Sequence, residues 1–225
     1  MLRAQKIIVI AAHPDDEVLG CGGTLLKYAG QGAEIAWLIA TNMSESAGYT
    51  KARVEGRQQE IAEVAKQVPF QKVYQLDFPT TQLDAIAPSQ LIGKISHCFL
   101  EFKPEVIFVL NRSDAHSDHR VLFQAVMACT KSFRYPFIKK ILMYECLSET
   151  EFAAALPENI FYPNYFVDIS PYFKRKIELM SIYASELAEH PFPRSIRNIE
   201  ALATYRGATA GVDYAEAFHL LKCIE

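Results

Sequence analysis

The chain lacks a surplus of charge of either sign: 23 Lys and Arg residues stand against 26 Asp and Glu, a formal net charge of −3 over 225 residues. Phosphate binding normally shows as a basic excess, so this balance argues against a nucleic-acid partner. Two short basic clusters, Lys139-Lys140 and Lys174-Arg175-Lys176, read as solvated faces. Also missing is any charge-free apolar stretch near the roughly 18–20 residues of a membrane span, so stable membrane insertion is not expected. Arg3 and Lys6 precede a short strand-like run with no small-residue cleavage site, which argues against a secretory leader. Cysteine is scarce. Cys21, Cys98, Cys129, Cys146 and Cys223 are odd in number, widely spaced and without a CxxC pair, and read as reduced thiols of a cytoplasmic protein. No repeat, low-complexity segment or linker divides the chain. A single domain over 1–225 is expected, with an apolar fraction of 50% to supply its core.

What is present alternates. Strand-like runs occupy Lys6–Ala12, Glu34–Thr41, Lys72–Asp77 and Glu105–Leu110, with further candidates at Lys139–Glu145 and Tyr165–Ile169. Helical spacing marks about Leu19–Ala29, Lys51–Gln67, Ser89–Phe102 and Arg120–Lys131. Continuous apolar strands separated by helices predict a mostly parallel sheet covered on both faces. The expected fold is a Rossmann-like three-layer α/β/α sandwich with an elaborated, proline-punctuated C-terminal part. There a helix at about Tyr172–Glu186 is expected, with Pro171 in its first turn and Ser170 as its cap.

Two polar clusters stand out from this frame. "HPDDE" (His13–Glu17) follows the first strand, and "NRSDAHSDH" (Asn111–His119) follows the fourth. In the common strand order 3-2-1-4-5, strands one and four are neighbours at the point where the order reverses, and ligands bind beyond the carboxyl ends there. The two clusters are therefore expected side by side. Pro14 biases His13 toward extended backbone, which keeps it at the strand end. Asp16 lies three residues on, and His116 and His119 are three apart at a helix start, so both can reach one site. Two imidazoles and a carboxylate suit Zn²⁺ or another borderline divalent ion, and three protein ligands leave a position open for water. Such a cation would also relieve the repulsion among Asp15, Asp16 and Glu17. For Glu17 alone, a helix N-terminus explains the charge as well. His97, His190 and His219 carry no such pattern. Gly20, Gly22 and Gly23 suggest a dinucleotide loop, but Leu25 occupies the third glycine position, so they are read as sites of close backbone approach.

"AHPDDE" and "HSDH" together resemble the PIG-L/LmbE family of zinc-dependent de-N-acetylases. "EGRQQEIAEVAKQV" is similar to that family's Arg-x-x-Glu helix, and "EALATYRGATAGVDYAEAF" to its C-terminal segment. The resemblance implies that His13, Asp16 and His119 hold zinc (Fe²⁺ suits the same set) and that Asp15 is the general base toward zinc-activated water. It implies that His116, protonated, stabilises the oxyanion or protonates the leaving amine, that Asp118 orients His116, and that Arg57 binds substrate. Arg206 is expected to meet an anionic aglycone or to tie down the C-terminal segment. Asp114 stands near where some members carry a tyrosine, and an ionised carboxylate cannot donate a hydrogen bond as tyrosine does. The implied reaction removes the N-acetyl group from a small amino-sugar glycoside, giving acetate and amine. An amidase for a larger N-acyl group is the nearest alternative, and a non-catalytic metal-binding or nucleotide-binding module the remoter one. A homo-oligomer is compatible with the resemblance.

Overall fold

Ile7, Ile8, Val9, Ile10 and Ala11 are all fully buried in the computed structural model, which describes residues 6–225. Arg3 lies outside the described residues. The run forms β1 (Lys6–Ala11), at the centre of a seven-stranded sheet. Its companions are β2 (Glu34–Asn42), β3 (Phe70–Pro79), β4 (Val106–Leu110), β5 (Lys140–Tyr144), β6 (Tyr165–Asp168) and β7 (Ala215–Cys223). The order is β3-β2-β1-β4-β5-β7-β6. The first five strands pair in parallel, and β7 is antiparallel to both β5 and β6. The mostly parallel sheet and its reversal between β1 and β4 agree with the sequence reading.

Six α-helices among the described residues cover it: α1 (Asp16–Gly30), α2 (Lys51–Gln67), α3 (Pro88–Phe102), α4 (Ser117–Ala128), α5 (Phe173–Ile182) and α6 (Ile196–Ala210). α5 packs on α1 and α2, and α3 packs on α4. In α3 the residues Leu91, Ile95, Cys98 and Phe102 share one buried face, the 3.6-residue period read in the sequence. α1 and α4 each begin three residues earlier than expected; the His116 side chain caps α4 by accepting from the Asp118 amide, whereas α1 has no side-chain cap. α5 is shorter than expected and flanked by 3₁₀ turns at Ser170–Tyr172 and Ala184–Glu186. Ser170 does not cap it: the Asp168 carboxylate accepts from the Ser170 N–H and hydroxyl at 2.9 and 2.6 Å.

α1 lies close against the sheet. A Cβ at Gly20 would stand 2.2 Å from the Tyr144 ring of β5, and that tyrosine's hydroxyl donates to the Ile10 carbonyl of β1 at 2.8 Å. The glycines thus permit close backbone approach, as expected. Further along α1, the Gly23 and Thr24 amides donate to the two oxygens of Glu216 in β7 at 2.9 and 2.7 Å. Lys176 of α5 completes this buried cluster by donating to Glu216 and to the Leu19 carbonyl, each at 2.7 Å. Removing one partner of such a pair strands a buried charge, at a cost of about 3–5 kcal/mol. All five cysteines are free thiols and four are buried. No helix among the described residues is long and apolar enough to cross a membrane.

Candidate active site

The loop leaving β1 is held by its own carboxylates. Asp16 Oδ2 accepts from the Ala12 and His13 amides at 2.9 and 2.8 Å, which leaves Oδ1 directed elsewhere. Asp15, at the N-cap of α1, has φ 132° and ψ −31°, a region that a side-chain-bearing residue enters at about 1–3 kcal/mol. Its N–H donates to Glu17 Oε2 at 3.1 Å, and its carbonyl accepts from the Val18 and Leu19 amides. Glu17 is fully buried, with Oε1 accepting from the Tyr183 hydroxyl at 2.8 Å. Burial pushes its carboxyl up to about 8, against the hydrogen bonds. Glu17 therefore shapes the loop from beneath and does not line the cavity.

Beyond β4, His116 is the N-cap of α4. Its Nδ1 accepts from the Asp118 N–H at 3.1 Å, so the ring proton belongs on Nε2. Burial, then the neighbouring His13 and His119 rings, push its pKa down to about 4. The imidazole is thus neutral near pH 7 in this structure, with Nε2–H as its ring donor. One turn on, His119 Nδ1 is paired with Asp114 Oδ2 at 2.9 Å. The Asp114 side chain also accepts from Asn111 and Thr150 at 2.8 and 2.7 Å. Asp114 thereby gains a role that the sequence did not suggest: it sets which nitrogen of His119 points inward.

The inward nitrogen, His119 Nε2, is buried and without a hydrogen-bond partner, 3.3 Å from Asp16 Oδ1. One ligand atom each from His13, Asp16 and His119 lie within 4.8 Å of one another. His13 turns Nε2 to Asp118 at 3.1 Å, with Nδ1 3.7 Å from Asp16. Both imidazoles are thus backed by a buried carboxylate on the far nitrogen, the arrangement that orients a ligating histidine. A stranded buried acceptor, two oriented imidazoles and one carboxylate fit a divalent cation of the zinc type.

A cavity of about 370 Å³ opens over this set. His13, Asp15, Asp16, His116, His119 and Arg57 all line it. Burial and the adjacent Asp16 charge raise the Asp15 carboxyl well above the usual range. Two expectations need correction. The Asp118 carboxylate orients His13, not His116: Oδ2 also accepts from the Thr81 amide at 2.7 Å, and Oδ1 from Leu83 at 3.0 Å. Arg206 does not line this cavity. Its guanidinium makes a two-point pair with Glu145 at 2.8 and 2.7 Å, the tying-down role. Residues not read from the sequence also line the wall, among them Tyr49, Cys146, Glu186 and Arg194.

The family model for GlcNAc-PI de-N-acetylase matches residues 8–130, a span that contains both clusters. The chain belongs to the PIG-L family. Over 232 residues this PIG-L chain is 24% identical to the diacetylchitobiose deacetylase of Thermococcus kodakarensis, covering 98% of the chain and 84% of that protein. Its fold is similar to N,N'-diacetylchitobiose deacetylase from Pyrococcus horikoshii complexed with its inhibitor MPG. There the TM-score is 0.76 at 21% identity, over 97% of this chain and 84% of that one. It is also similar to GalB, the 4-carboxy-2-hydroxymuconate hydratase of Pseudomonas putida, with a TM-score of 0.73 at 16% identity and 98% of both chains covered. A PIG-L-like fold thus accompanies more than one reaction, and the reaction here must be argued from the site.

Proposed function

We propose that this chain is a zinc-dependent hydrolase that removes the N-acetyl group from a small N-acetylglucosamine-type glycoside, releasing acetate and a free amine. The observation that carries the proposal is His119 Nε2, buried, unpartnered and aimed with His13 and Asp16 at one point of the cavity. Family membership and the deacetylase relatives support the same chemistry.

A divalent ion held by His13, Asp16 and His119 supplies Lewis acidity toward an amide carbonyl and toward water. The side chains do the rest. Asp15, desolvated and therefore more basic than a surface carboxylate, accepts the proton of the attacking water. His116 presents an Nε2–H to the developing oxyanion, a contribution commonly of about 3–4 kcal/mol. The proton held by Asp15 is then available to the leaving nitrogen, so water adds as hydroxyl to the acyl carbon and hydrogen to the amine. Removal of a larger N-acyl group is the second reading. It is favoured by an apolar groove of about 390 Å³ that shares Cys146 and Leu147 with the cavity wall.

The deciding experiment measures acetate release by purified, zinc-loaded protein from free, lipid-linked, thiol-linked and nucleotide-linked N-acetylglucosamine. Bulky N-acyl glucosaminides run alongside. Turnover on an acetyl substrate that is lost on chelation and restored by zinc is expected. Full zinc occupancy with no amine released from any acyl substrate refutes the hydrolase reading.

A further inference from the structure

We infer that Arg57 is a positioning residue that fixes the backbone carrying Asp15. This rests on the hydrolase reading, in which Asp15 is the proton acceptor. The Arg57 side chain is 4% exposed, and each of its three nitrogens faces a protein acceptor. Nη1 donates to the Pro14 carbonyl at 3.0 Å. Nη2 pairs with Glu186 and lies 3.5 Å from the Ser185 hydroxyl, and Nε faces Glu60 at 3.3 Å. Arg57 also lines the cavity, so this hold on the backbone is a role beside the substrate contact that the family resemblance implies.

The Pro14 carbonyl and the Asp15 N–H belong to one peptide unit. Arg57 holds its oxygen, and Glu17 Oε2 accepts from its N–H at 3.1 Å. That unit is therefore clamped from both sides by buried side chains reaching in from α2 and α1. Its orientation is what φ of Asp15 measures, and φ stands at 132°, where only a surrounding structure can keep a non-glycine residue. Release of the oxygen lets the peptide rotate toward negative φ, and rotation about this bond swings the Asp15 side chain relative to the neighbouring ligand Asp16. A displacement of about 1 Å at a catalytic group can cost on the order of a hundredfold in rate.

The test compares Arg57→Ala and Arg57→Lys with the wild type under saturating zinc on the acetyl substrate that the wild type turns over. In Arg57→Ala, kcat is expected to fall at least tenfold with KM within twofold and zinc content unchanged. Arg57→Lys, which can still reach one carbonyl, is expected to recover part of that kcat. A crystal structure of Arg57→Ala is expected to show the Pro14–Asp15 peptide turned and Asp15 at negative φ. A tenfold rise in KM with kcat preserved overturns the inference and returns Arg57 to substrate binding, as does an unmoved peptide with unchanged kcat. If Arg57→Ala does not fold, the same split of kcat against KM in Arg57→Lys decides. An inactive wild type would instead strike the hydrolase reading, so the two failures are separable.

Discussion

Replacing Asp114 by asparagine tests the metal site through a residue that touches no metal. As an ionised carboxylate Asp114 only accepts, and its three donors are His119 Nδ1, Asn111 Nδ2 and the Thr150 hydroxyl. That fixes the His119 proton on Nδ1 and leaves the Nε2 lone pair free. Asparagine offers one oxygen and one NH₂. With the oxygen toward His119, the NH₂ opposes the Asn111 amide, a buried donor set against a donor, at about 1–3 kcal/mol. With the NH₂ toward His119, Nδ1 must accept and the proton moves to Nε2, where the ligand lone pair was. Either way zinc affinity is expected to fall tenfold to a hundredfold, the usual scale for losing such a partner. That corresponds to about 1.4–2.7 kcal/mol. Competition against a chromophoric chelator at fixed pH reads the Kd directly. Asp114→Asn protein that binds zinc within twofold of wild type refutes the reasoning that His119 is oriented from behind.

Two further substitutions probe the loop after β1. Asp15→Ala is expected to keep stoichiometric zinc while losing about 10²–10⁴-fold in turnover, as loss of a general base does; metal analysis beside kcat checks it, and near-normal turnover removes Asp15 from the mechanism. Glu17 has a carboxyl raised by burial to about 8 from an ordinary 4.5, so it costs the folded state nothing below pH 4.5 and destabilises it progressively from there to pH 8. Glu17→Gln lacks that titration, so its melting temperature relative to wild type is expected to climb between pH 5 and 8, whereas parallel curves show that Glu17 is not held neutral.

Legibility in the sequence followed the range of the force that shapes each part. The central strands announced themselves because burial on both faces leaves no polar positions in runs such as Ile7–Ala11. α6 did not, since only Ile199, Ala203 and Gly207 of its residues are buried, too few to mark an apolar face. β7 was hidden by Glu216, a buried charge in the middle of its apolar end. Local spacing at strand ends and helix starts brought His13, Asp16, His116 and His119 to one rim, and the choice of His119 over His116 as ligand came from the family resemblance. Asp118 was assigned to the wrong imidazole: it is two residues from His116 but reaches across 105 residues to His13. Arg206 likewise turns to Glu145, 61 residues away. Long side chains choose partners through tertiary geometry, which spacing does not encode.

The bond between Glu216 and α1 couples β7 to a helix far from it in sequence. The Gly23 and Thr24 amides meet their carboxylate acceptor only after another 193 and 192 residues have been made. Loosening of this contact by β7 would therefore be felt at the helix that presents Asp16 to the cavity.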